Sequence, residues 1–128
     1  MIDAKRTTLL AILAVIAGGC APSKPAGAPA PLAELAGRTA GAPQRCVPIG
    51  LTGSMRIAAP QTILYGSGRT IWVNRLPSPC ARMALMDVVI VEPLGTQYCR
   101  GDLVRTVNAV SKIPGPACPL GDFVPYTR

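Results

Sequence analysis

The sequence contains no histidine, and it is poor in large aromatic residues, with one Phe, one Trp and three Tyr. The absence of imidazole excludes Ser-His and Cys-His catalytic pairs, a histidine general base and the usual zinc hydrolase sites. The shortage of aromatic side chains limits the apolar surface that a core can bury, and small domains of this kind usually need covalent staples. A chain of 128 residues with these absences predicts one small domain without enzymatic activity, cofactor or metal.

The sequence also lacks an apolar run long enough for a transmembrane helix, which needs ~20 residues. Its N-terminal apolar stretch covers only residues 9–17, and Lys5 and Arg6 precede it. A basic start, a short apolar middle and small residues at the end are typical of a secretory signal peptide. We therefore predict that residues 1–19 are a signal peptide.

The segment Ala17-Gly18-Gly19-Cys20 resembles the lipobox of bacterial lipoproteins. The resemblance implies cleavage before Cys20, acylation of this cysteine and anchoring to a membrane by the acyl chains. Since Ala21 rather than Asp follows the cysteine, the resemblance also implies the outer membrane, with the protein facing the periplasm. Ordinary secretion that leaves Cys20 as a spare thiol is the alternative.

Between residues 20 and 41 the composition shifts to proline, alanine and glycine, with no apolar periodicity. Proline-rich chain of this kind is extended and semi-rigid. We predict that residues 20–41 comprise the lipidated Cys20 and a tether, and that residues 42–128 form the folded domain.

The folded region consists of short β-rich segments separated by glycine and proline, and helical periodicity is absent. This pattern predicts an all-β domain, a small disulfide-stapled sandwich or partly open barrel of about 6–8 short strands. The candidate strands cover residues 45–51, 55–58, 61–65, 70–76, 86–91, 103–110 and 123–126.

Two of these segments allow a more specific prediction. Residues 62–65 and 70–73 are joined by Gly66-Ser67-Gly68-Arg69, whose glycines supply the positive φ that short hairpin loops require, so they predict a hairpin. Residues 86–91 carry apolar side chains on both faces, which predicts a central strand packed on two sides.

Four cysteines remain after Cys20, and an even number in an exported chain predicts two disulfides. They are Cys46, Cys80, Cys99 and Cys118. A zinc site is the alternative, but the four show no closely spaced pair and no histidine is available to complete a site. Four cysteines allow three connectivities. We prefer Cys46 with Cys118, which would join the first strand to the last, and Cys80 with Cys99.

The segments around these cysteines are distinctive. They are Arg45-Cys46-Val47-Pro48, Val73-Asn74-Arg75-Leu76 leading to Cys80, Gln97-Tyr98-Cys99-Arg100-Gly101-Asp102, and Gly115-Pro116-Ala117-Cys118 followed by Leu120-Gly121-Asp122-Phe123-Val124-Pro125. Together they resemble a family of small exported proteobacterial proteins of unknown function, over residues 38–128. The resemblance implies the fold and an exported location, and it implies no activity.

The charge of the domain is almost entirely arginine, with nine arginines and one lysine in residues 38–128. Guanidinium groups bind phosphate in a bidentate manner, so the expected partners are a membrane, reached by the lipid anchor, together with anionic lipid head groups or an envelope protein. An arginine-rich composition without any ligand is the alternative. Nucleic acid is not expected in an export compartment.

The domain also has four carboxylates from which a hydrolase could draw a catalytic pair, namely Asp87, Glu92, Asp102 and Asp122. Their positions at turns and strand ends favour structural roles, and we expect Asp87 to pair with an arginine. The sequence thus predicts an envelope lipoprotein with a binding or structural role, and a small envelope hydrolase that uses carboxylates is the alternative.

Overall fold

The computed structural model describes residues 32–51 and 53–128, and the prediction of an all-β domain is confirmed for this part of the chain. A single turn of 3-10 helix, η1 (Ala33–Leu35), precedes ten short strands. The strands are β1 (Thr39–Ala40), β2 (Cys46–Pro48), β3 (Arg56–Ala59), β4 (Thr62–Tyr65), β5 (Thr70–Arg75), β6 (Val88–Glu92), β7 (Gln97–Cys99), β8 (Leu103–Val107), β9 (Cys118–Pro119) and β10 (Phe123–Thr127). All of them belong to one compact unit, Pro31–Arg128.

The strands form three antiparallel sheets. The large sheet has the strand order β1-β10-β5-β4-β3, the three-stranded sheet has the order β6-β8-β9, and β2 pairs with β7. A common apolar core joins them, since it contains Val47 from β2, Ile63 from β4, Val104 from β8 and Phe123 from β10, all fully buried. The arrangement is therefore sandwich-like, with one sheet facing two smaller ones.

The predicted hairpin is confirmed. Strands β4 and β5 pair in the register Tyr65↔Trp72 and Thr62↔Arg75. Both loop glycines have positive φ, 84° at Gly66 and 78° at Gly68, a conformation that costs glycine little and other residues much more. The hairpin supplies two of the central strands of the large sheet.

The prediction of a central strand at residues 86–91 is wrong. Strand β6 lies at the edge of the three-stranded sheet, and β8 takes the central place. Val89 and Val91 pack on the common core, whereas Val88 and Ile90 on the opposite face remain 53% and 42% exposed. The apolar residues on both faces of β6 therefore reflect one buried face and one apolar face that stays uncovered.

Part of the region predicted as tether belongs to the fold. Strand β1 pairs with β10, and the next residues continue along it, since the Gly41 amide donates to the Pro125 carbonyl at 2.7 Å. Leu32 and Leu35 pack on a second apolar cluster, on the face of the large sheet that points away from the common core. The structure therefore includes residues 32–41 in the domain, which was predicted to begin at residue 42. Two-residue strands such as β1 carry too little periodicity to be read from sequence.

The prediction of two disulfides is confirmed, but the preferred pairing is wrong. The bonds join Cys46 to Cys99 and Cys80 to Cys118. Cys46 and Cys99 lie directly opposite each other in the β2–β7 pair, with 4.0 Å between their Cα atoms. The preference rested on joining the first strand to the last, and it missed β7, the strand that brings Cys99 to Cys46.

Candidate binding surfaces

The N-terminal predictions lie outside the described residues. These are the signal peptide at residues 1–19, the lipidated Cys20 and the tether up to residue 31. In the described part of the chain no helix is long and apolar enough to span a membrane. The two disulfides are typical of an oxidising, extracytoplasmic compartment.

Two of the four domain carboxylates stabilise the turn regions next to β7 and β10. Asp102 is buried, and its Oδ2 accepts a hydrogen bond from the Cys99 amide at 2.8 Å, which closes the turn after β7. Asp122 forms an ion pair with Arg100 at 3.4 Å. Both carboxylates act within the fold, as their positions after glycines predicted.

Of the other two carboxylates, Glu92 ends β6 and Asp87 directly precedes this strand. Glu92 Oε1 is 3.2 Å from Arg105 Nε on the neighbouring strand. Asp87 accepts hydrogen bonds from the Ala84 amide at 3.1 Å and the Asn108 side-chain amide at 3.4 Å. The expected Asp87–arginine pair is therefore replaced by contacts with amide groups.

Asp87 lines a cleft of about 420 Å³, which is the strongest candidate for a catalytic site. The polar side chains around it are Arg82, Asp87, Thr106, Asn108 and Ser111. Only one of these is a carboxylate, so the cleft does not offer the pair that glycoside hydrolysis uses. Within residues 32–51 and 53–128 there is also no group of three His, Cys, Asp or Glu residues that could hold a metal ion. The cleft can donate and accept hydrogen bonds.

Four of the nine domain arginines have ion pairs or backbone contacts that bear on a binding role. Arg56, Arg100 and Arg105 form ion pairs with Glu34, Asp122 and Glu92, respectively. The Arg56 guanidinium lowers the pKa of Glu34. Arg38 instead donates to backbone carbonyls, at 2.8 Å to both Arg69 O and Gly68 O. Burial lowers the pKa of Arg38, and the positive charge of Arg128 lowers that pKa further.

Three arginines lie side by side at one end of the large sheet. The sheet register pairs Thr39 with Thr127 and Thr127 with Thr70. Continuing this register by one residue brings Arg38, Arg128 and Arg69 next to one another, and the Arg128 amide donates to the Arg69 carbonyl at 3.2 Å. We call Arg38, Arg128 and Arg69 the arginine row.

A second surface is apolar. Eight of the nine large apolar side chains that are exposed in the described part of the chain belong to the three-stranded sheet or its adjoining loops. By the register of β6 and β8, Val88 and Ile90 share a face with Leu103. We call Val88, Ile90 and Leu103 the apolar face; the exposed apolar side chains of the adjoining loops are Leu85, Met86, Leu94, Val110 and Ile113.

Sequence reasoning expected an arginine-rich surface but did not locate the row. The signal was present, because an arginine adjoins a threonine at each of the three strand ends: Arg38-Thr39, Arg69-Thr70 and Thr127-Arg128. Only the strand order shows that these three dipeptides are neighbours. The apolar face was hidden by the wrong assignment of β6 to a central position.

Comparisons with protein-family models, curated proteins and solved structures return no match for this chain. The resemblance of the cysteine-bearing segments to a family of exported proteobacterial proteins therefore stays a prediction. Any functional inference rests on the residues themselves.

Proposed function

We propose that this chain is a lipoprotein of the bacterial cell envelope, anchored by acylated Cys20 to the outer membrane and facing the periplasm, with a domain that binds an envelope protein. The predicted signal peptide and the lipobox-like segment support this location in the envelope, and the two disulfides are compatible with it. The apolar face is the observation that carries the binding role.

An apolar strand face that is left uncovered in a small domain often marks an interaction site. Val88, Leu103 and Ile90 are 53%, 43% and 42% exposed, so no other element of the described chain covers this face. The charges on the same face are paired with each other, because Glu92 contacts Arg105. A mainly apolar patch with internally neutralised charge suits a protein partner.

The hydrolase alternative has less support. Each of the five carboxylates in the described domain has a partner within the fold, and the Asp87 cleft holds one carboxylate. A second carboxyl group at ~5–9.5 Å is the feature that carboxylate-based glycoside hydrolysis requires.

The binding role can be tested by site-specific photo-crosslinking in cells. A photoreactive residue at Val88, on the apolar face, should yield a discrete crosslinked band that disappears when Ile90→Glu is added, because a charge on the face disfavours burial against a partner. The matched control places the photoreactive residue at exposed Ser78, outside that face, and should yield no such band. Equal crosslinking from Val88 and Ser78, or a band insensitive to Ile90→Glu, would contradict the proposal.

A further inference from the structure

The arginine row has an energetic cost that the fold offsets only at Arg38, whose charge is stabilised by Glu34 and by three backbone carbonyls. Like charges directly opposite each other on neighbouring strands are destabilising, and here three guanidinium-bearing residues are adjacent at the same end of the large sheet. No carboxylate forms an ion pair with Arg38, Arg69 or Arg128 among residues 32–51 and 53–128. The row is therefore a place where an anion would be stabilised.

The three arginines differ in what they can offer to such an anion. Arg38 is held in place by its contacts with the Arg69, Gly68 and Glu34 carbonyls. Arg69 and Arg128 are exposed. Arg38 thus fixes the hairpin loop against the neighbouring strands, while Arg69 and Arg128 are the groups available to a ligand.

The charge of the domain is divided almost evenly between the large sheet and the rest of the fold. The large sheet and its ends carry five arginines and two carboxylates, namely Arg38, Arg56, Arg69, Arg75 and Arg128 with Glu34 and Asp122. The remaining charged residues are Arg45, Arg82, Arg100, Arg105 and Lys112 with Asp87, Glu92 and Asp102. What distinguishes the arginine row is that Arg69 and Arg128 have no ion pair among the described residues, whereas Arg105 on the apolar face is paired with Glu92, so an anionic partner is attracted to the row rather than to the apolar face.

We propose that the arginine row binds the phosphate groups of anionic lipid head groups. A guanidinium matches phosphate with two parallel N–H donors, and each arginine near an anionic bilayer adds to the attraction. The lipid source is favoured because Leu32 and Leu35, which follow the predicted tether, pack on the outer side of this same sheet. This step rests on the proposed function, in which the tether leads to a membrane.

An anchor makes even weak head-group contacts effective. A tethered domain meets the membrane at a high local concentration, so a binding energy that is modest for the free domain is enough to orient it. With the arginine row against the lipid, the apolar face would lie on the opposite side of the common core, available to a protein partner. The two surfaces would then serve different ligands.

The test uses the chain from residue 21 onward, oxidised, because both disulfides and all described strands lie within the compact unit Pro31–Arg128. Sedimentation with phosphatidylglycerol vesicles and with phosphatidylcholine vesicles measures lipid binding. The variant is Arg69→Gln with Arg128→Gln. The matched control is Arg45→Gln with Arg82→Gln, which removes the same charge from exposed positions outside the row.

We expect binding to the phosphatidylglycerol vesicles only, weakened about 10- to 30-fold by the row variant and by less than about 3-fold in the control. Raising the salt concentration should weaken it further, because surface charges are screened. Unchanged thermal midpoints would show that both variants fold.

Three results would overturn the proposal. The first is no preference for anionic vesicles, and the second is an equal loss in the row variant and the control, which would mean that only net charge matters. The third is row-dependent binding of inorganic phosphate without vesicle binding, which would replace the lipid by a free anion. Since the protein used in this test begins at residue 21 and has no Cys20, these outcomes are independent of whether Cys20 is acylated in the full chain.

Discussion

Asn74 and Phe123 show how single side chains hold this small core together. Asn74 is fully buried, and its side chain both donates to the Gly121 carbonyl and accepts from the Gly121 amide, each at 2.8 Å. Phe123, the only phenylalanine, pairs with Asn74 across β10 and β5 and is fully buried in the common core. A side chain added at Gly121 would collide with the Arg75 backbone, so this turn requires glycine. The segment 118–123 is thus specified by packing and by paired hydrogen bonds.

Replacing Phe123 with alanine should destabilise the domain strongly. Truncation of a fully buried aromatic side chain costs about 3–5 kcal/mol through lost burial and the cavity left behind. Leu94→Ala, at a 93% exposed position, is the control and should change the free energy of unfolding by less than about 0.5 kcal/mol. Chemical denaturation measures both. A Phe123→Ala protein as stable as the parent would mean that this ring does not belong to the core.

At the level of elements, sequence reasoning recovered the strands with a clear β pattern. It missed the short segments that are strands only because a neighbouring strand pairs with them. The β4–β5 hairpin could be predicted because turn glycines and β-rich arms are local signals. Strands β1, β7 and β9 have two or three residues, and only their partners make them strands. The error at β6 has the same origin, because a sequence shows which faces are apolar but not which of them is covered. The two binding surfaces depend on this strand order, so they could not be located from sequence.

The disulfide pairing is a direct test of the strand order. Non-reducing proteolysis of the oxidised protein should release peptides that link Cys46 to Cys99 and Cys80 to Cys118. Replacing Cys46 and Cys99 together with alanine should lower the free energy of unfolding by about 3–4 kcal/mol, because each bond closes a long loop in the unfolded chain. A peptide linking Cys46 to Cys118 would contradict the β2–β7 pairing.

The described domain, taken as a whole, has two chemically different surfaces. The large sheet carries the arginine row and receives the first described residues, whereas the exposed face of the three-stranded sheet is apolar and its Glu92 and Arg105 are paired with each other. Such a division suits a domain held beside an anionic membrane that offers its other side to a protein. The orientation of the domain at the membrane depends on where the chain is anchored.

The most direct test of this account is lipid labelling at Cys20. Cells that express the full chain and are fed a labelled fatty acid should incorporate the label into the protein, which should sediment with the outer membrane. Cys20→Ala should abolish the label, whereas the control Cys46→Ala with Cys99→Ala should retain it, since acylation acts on the N-terminal segment. An unlabelled parent protein, or a label that survives Cys20→Ala, would contradict the anchor and with it the orientation proposed here.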